Sequence, residues 1–174
     1  MVNASVLESE QRARAILSGV GWGIHLGINE VRKKHGLSSL HWDDQLAHIA
    51  RTHSIDMASR QYFAHVSPDG HSLRDRYHAA GYEQRVMTHR SGNRTYYAIG
   101  AENLFQTYLA RSMWDDGRVA AYHTKDEVVH DAVEGWMQSS GHRKNILTPY
   151  WRREGMGIAV HLASGKVYIT ENFS

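Results

Sequence analysis

"GMGIAVHLASGKVYITENF", residues 155–173, decides how the chain is read as a fold. Ile158, Val160 and Leu162 alternate with smaller or polar neighbours, "ASGK" supplies turn residues, and Val167, Ile169 and Phe173 alternate again. A period of two with one apolar face is the pattern of a strand buried on one side, so the stretch predicts a β-hairpin near the C-terminus. Upstream the period changes. In residues 23–37 Ile24, Ile28 and Val31 share one helical face, with Gly36 as the expected C-cap. Residues 42–63 repeat the pattern with Leu46, Ile49, Ala50, Ile55, Met57 and Ala58 behind Asp43 or Asp44 as N-cap.

Three further segments complete the outline. Residues 72–82 predict a short helix closed by Gly81 after the turn-rich "HVSPDGHS", and residues 83–95 read as a polar loop. "TYYAIGAENLF", residues 95–105, has strand-like content, and residues 124–140 predict a third long helix with Val128, Val129, Ala132, Val133 and Trp136 behind a Thr124 cap. Helices with one isolated strand and a terminal hairpin supply too few strands for a doubly wound parallel sheet. An α+β arrangement follows, with a small antiparallel sheet covered by helices.

At 174 residues the chain has the length of one domain, and no repeat or low-complexity linker divides it. Residues 1–20 are expected to be a helical or flexible N-terminal segment preceding a domain over 21–174. The 20 basic and 18 acidic residues are dispersed, so no groove for nucleic acid is indicated. There is no cysteine, hence no disulfide. No signal peptide is evident at the N-terminus, and "ILSGVGWGIHLGI" is too short and glycine-rich to span a bilayer.

Candidate chemistry centres on a few residues. His65 follows a helix and precedes a turn, where it can either cap carbonyls or face a cleft. Glu102, flanked by Ile99, Gly100, Ala101 and Leu104, is expected to be at least partly buried and therefore to need a cation, a proton or hydrogen-bond donors, Arg143 being one candidate. In "EGWMQSSGHRKNIL", residues 134–147, one helix is expected to stop at Ser-Ser-Gly and another to restart at once, with His142 in the break so that its ring leaves the helix surface and points across the fold. Glu134 and Gln138 point the same way from one helical face. His123, His130 and His53 read as scattered surface or interface residues. No H-E-x-x-H, nucleophile elbow, phosphate loop or dinucleotide fingerprint is present.

Taken in order, "FAHVSPDG", "GAENL", "AVEGWMQSSGHRKNIL", "GMGIAV" and "YITENF" resemble the CAP superfamily of cysteine-rich secretory, antigen 5 and pathogenesis-related proteins, in its prokaryotic cysteine-free form. The resemblance implies an α-β-α sandwich and an extracellular or surface location. It also implies a cleft of two histidines and two acidic residues able to hold a divalent ion, with His65, Glu102 and His142 as the matching residues. The fourth position departs from the pattern: Gln138 stands where many relatives have glutamate, Glu134 lies one turn earlier, and Glu171 replaces a common glutamine. Strand alternation places Glu171 with Ile169 and Phe173, in or beside the cleft on this reading. Two imidazoles with one or two carboxylates suit zinc better than magnesium.

Three functions are open at this stage. The first is a binding module for a small apolar or cell-envelope ligand. The second is a metal-assisted hydrolase with Glu102 as general base. The third is a protein-interaction module using Trp114, Tyr122 and Trp151. Residues 105–124 are expected to form a rim or lid over the cleft.

Overall fold

The computed structural model describes residues 4–82, 87–91 and 94–174. Helices α1 (Ala4–Leu17) and α2 (Val20–Lys34) lead to a short strand β1 (His41–Trp42), then α3 (Asp44–Arg60) and α4 (Leu73–Ala79). Strands β2 (Met87–Ser91), β3 (Arg94–Ala98), β4 (Ala101–Tyr108), β5 (Ala110–Met113) and β6 (Val119–Tyr122) follow. Helices α5 (Lys125–Gln138) and α6 (Ser140–Ile146) precede the closing hairpin of β7 (Arg153–His161) and β8 (Lys166–Phe173). The central sheet has the order β1-β7-β8-β4; β2-β3 and β5-β6 form separate two-stranded pairs.

The expected helix boundaries rest on identifiable caps. The Asp43 side chain accepts from the Gln45 and Leu46 amides, and Ser72 with Asp75 and Thr124 with Glu127 form capping boxes. Gly36 takes φ +70 beyond α2, and the Leu37 amide returns to the Arg32 carbonyl at 3.0 Å. Two expectations are corrected. The segment over 83–95 is not wholly loop, because residues 87–91 pair as β2 with β3; residues 83–86 and 92–93 lie outside the described residues. The strand expected over 95–105 is broken at Ile99 and Gly100, where a side chain on Gly100 would meet the Phe173 carbonyl and the Tyr77 ring, each at 2.8 Å.

The sheet is sandwiched, and strand alternation assigns its faces. Glu154, Met156, Val167, Ile169, Glu171 and Phe173 face the layer of α1, α2, α5 and α6, where Val20, Ile24, Ile28, Ala132 and Trp136 form the main core. Tyr168, Thr170 and Leu104 face α3, meeting Met57 and Ala58. Gly155 and Gly157 bring α3 directly onto β7: an added Cβ would lie 2.2 Å from the Ala47 amide nitrogen and 1.9 Å from that of Arg51. Ala13 and Ile16 of α1 belong to the main core, so residues 4–17 form a helix packed with the rest.

Candidate functional site

Residue 102 is the second residue of β4, and the alternation that turns Asn103 toward Glu171 turns Glu102 to the opposite, α3 side. Glu102 is 6% exposed. Its Oε2 accepts from Arg76 Nη2 at 2.6 Å, and its Oε1 accepts from His65 Nδ1 at 2.9 Å. A buried carboxylate needs such donors, because unpaired burial costs several kcal/mol, roughly. The cation is Arg76 of α4 and not Arg143, whose guanidinium donates to the Met137 carbonyl at the end of α5. Arg76 also donates to the His65 and His71 carbonyls, holding the loop after α3 over the carboxylate.

His65 is the outward element, with a side chain 54% exposed. Because Nδ1 donates to Glu102, Nε2 is the nitrogen left to face a ligand, the arrangement by which a carboxylate orients a metal-binding imidazole. His142 approaches from the other layer. The helix breaks at Ser139 and restarts at Ser140, as the expected stop and immediate restart require, but the break comes before Gly141, so His142 stands in the first turn of α6 and not in the break itself. Asn145 of the same helix donates to the Glu102 carbonyl at 3.3 Å and to Asn103 Oδ1 at 2.9 Å, locking α6 against the outer edge of β4. Burial and then the charge of His65 lower the His142 pKa, so its ring favours the neutral form and shares an electrostatic neighbourhood with His65.

The remaining candidates differ in burial. Glu134 and Gln138 are exposed on α5. Glu171 is fully buried on the other face of the sheet; its Oε2 accepts from Asn103 Nδ2 at 2.9 Å, and it adjoins the equally buried Glu154. It therefore does not sit in a cleft with Glu102, because β4 and β8 pair in a register that opposes Asn103, not Glu102, to it. Glu154 in turn accepts from His25 Nδ1 at 2.5 Å. Among the described residues no group of three or more His, Asp or Glu is arranged to hold a metal ion. Both Glu102 oxygens are committed, one to His65 and one to Arg76.

Several functional neighbours escaped the sequence reading. His53 is 1% exposed, not a surface residue; its Nε2 donates to the Ala64 carbonyl at 3.1 Å and lies 4.0 Å from Glu102. Burial lowers its pKa, keeping it neutral beside the Arg76–Glu102 pair. The need of Glu102 for a cation was legible, but not that Arg76 would meet it. The 105–124 segment is no lid: β4 runs away from Glu102 for roughly 20 Å before β5 begins, and the Leu109 amide donates to Gly165 at the opposite end of the sheet. The three aromatics also separate, since Trp114 and Tyr122 are exposed whereas Trp151 is buried beside Phe173.

Comparison with known proteins agrees with this architecture. The model of the cysteine-rich secretory protein (CAP) family matches residues 27–173. Among curated proteins, the uncharacterized membrane protein YlbC of Bacillus subtilis is 34% identical over 145 residues, covering 83% of this chain and 31% of that protein. YkwD of the same organism, also uncharacterized, is 31% identical over 145 residues, with 83% and 43% covered. The chain thus spans less than half the length of these relatives. A crystal structure of an extracellular protein containing an SCP domain, from Bacillus anthracis, superposes with a TM-score of 0.64 at 28% identity, covering 99% of this chain and 44% of that one. An outer surface protein of Borrelia burgdorferi shares the fold with a TM-score of 0.60 at 17% identity, covering 86% and 88%. The cysteine-free α-β-α chain described here belongs to the CAP family.

Proposed function

We propose that this chain is a binding module held outside the cell or at its surface, in which His65 and His142 together retain a divalent ion and present it to a small apolar or cell-envelope ligand. The observation that carries the reading is the state of Glu102. Both its oxygens are engaged, one by Arg76 and one by His65, so it orients an imidazole and does not stand ready to take a proton from water. That weighs against a metal-assisted hydrolase using Glu102 as base. Two imidazoles without a free carboxylate favour zinc over magnesium, which demands oxygen ligands. An exterior location is in keeping with the extracellular and outer surface proteins of the same fold. No helix among the described residues is long and apolar enough to cross a membrane.

Calorimetric titration with zinc chloride at neutral pH tests the proposal. Saturable binding is expected for the wild type and is expected to weaken at least about tenfold in His65→Ala and in His142→Ala. Unchanged binding in both variants overturns the histidine site. A parallel screen with peptide and ester substrates is expected to show no turnover; turnover abolished by Glu102→Gln would establish the hydrolase instead.

A further inference from the structure

The two long edges of the sheet are finished differently. On β4 the even-numbered residues turn their backbone groups away from β8, and three of those carbonyls are capped. Asn145 donates to Glu102 O, Trp136 Nε1 to Leu104 O at 2.9 Å, and His123 Nδ1 to Tyr108 O at 2.9 Å. The opposite edge is β7. Strand β1 covers it only at Arg153 and Glu154, with the Asp43 amide donating to the Glu154 carbonyl at 2.8 Å, before the chain turns away into α3. Alternation places the N–H and C=O groups of Met156, Ile158 and Val160 on that same outer side. Among the described residues no strand or side chain pairs with them there.

This open edge is the floor of a groove of about 610 Å³. Ala13, Arg14 and Leu17 of α1 form one wall, Arg51 and Ile55 of α3 the other, and Trp22 stands at the rim with 53% exposure. The groove continues along β7 past Ala58 and Ser59 toward His161. Its charged groups are Glu10, Arg14 and Arg51, and neither guanidinium has an ion pair or hydrogen bond among the described residues. An uncapped edge with unpaired main-chain groups is a template for another strand. Helices on both sides recess it, which excludes the same recessed edge of a second copy and admits a single extended chain.

We propose that the β7 edge is a peptide-binding site that receives an extended, apolar and acidic segment of a partner protein as an added strand. Backbone groups of Ile158 and Val160 supply the register, the apolar walls take alternate side chains, and Arg14 and Arg51 select carboxylates. The site lies on the opposite sheet edge from His65 and His142 and is independent of any metal there.

The probe is the synthetic peptide acetyl-Val-Glu-Val-Thr-Val-Glu-Val-amide, added to the 15N-labelled full chain. Slowed exchange of the Ile158 and Val160 amides, by about tenfold or more at saturation, is expected, while His65→Ala binds equally well. Arg51→Glu, an exposed substitution, and Arg14→Glu are each expected to weaken the dissociation constant about tenfold. The same peptide N-methylated along its length is expected not to bind. Equal binding of the methylated peptide, or no protection of the two amides at millimolar peptide, overturns strand addition. Concentration-dependent dimerisation that protects the same amides, or their protection only by phosphatidylglycerol vesicles, assigns the edge to another occupant and overturns it too.

Discussion

Glu102 and Glu171 lie close in the sheet and meet opposite fates. Glu102 is paired with Arg76, so Arg76→Gln leaves a buried carboxylate without its cation and is expected to destabilise the fold by about 3 kcal/mol, read by urea denaturation. Arg76→Lys should recover part of that, since a point charge replaces one arm of the fork. Glu171 has no ion pair among the described residues: burial, then the neighbouring Glu154, raise its pKa well above the carboxylate range, and burial pushes Glu154 up to about 8. The physical picture is a buried carboxyl pair that prefers to hold protons, with His25 donating to Glu154 from the other side. A carboxyl with a raised folded pKa contributes stability that is complete below about 4.5, its unfolded value, and is lost as pH rises through the folded value. Glu154 is therefore expected to lower thermal stability as pH rises from about 4.5 to about 8, with a slope approaching 1.4 kcal/mol per pH unit for each proton held in the folded state alone, and Glu171 adds to the decline in the same direction. Glu171→Gln should flatten that decline, and a slope as steep as the wild type's would show that the pair is already ionised. The same substitution is not expected to change zinc affinity, because Glu171 faces away from Glu102.

At the scale of elements, close approach and capping set the arrangement. Helix α3 lies on β7 because residues 155 and 157 carry no side chain on that face; Gly157→Ala drives a methyl into the Arg51 backbone and is expected to cost about 3 kcal/mol or more, measured by chemical denaturation. Thr124→Ala removes a hydroxyl that accepts from the Glu127 amide and is expected to cost only about 1 kcal/mol. The glycines of "GMG" were visible in the sequence, but their role was not, since alternation names a face without saying what covers it. The α5–α6 junction shows the same limit. A break in "QSSGH" and an immediate restart were legible, whereas the position of the break at Ser139 and not at Gly141 depends on α6 docking through Asn145 against β4.

For the whole molecule, α1 connects core to surface: Ala13 and Ile16 pack in the main cluster while Arg14 and Leu17 line the β7 groove. Deleting residues 1–18 is expected to lower the melting temperature by several degrees, by scanning calorimetry, and to remove peptide binding together with the groove wall. What the sequence alone determined is what local physics determines. Periodicity identified the long helices and the terminal hairpin, cap chemistry identified their ends, and the ordered motifs identified the family. What only the tertiary structure decided is which faces meet. Strand register sent Glu171 to the opposite layer, the docking of α4 supplied Arg76 as the partner of Glu102, and the direction of β4 carried residues 105–124 away from the site. The shortness of β1 left one sheet edge open. Each is a long-range pairing between segments distant in the chain, and neighbouring residues exert no force that selects it.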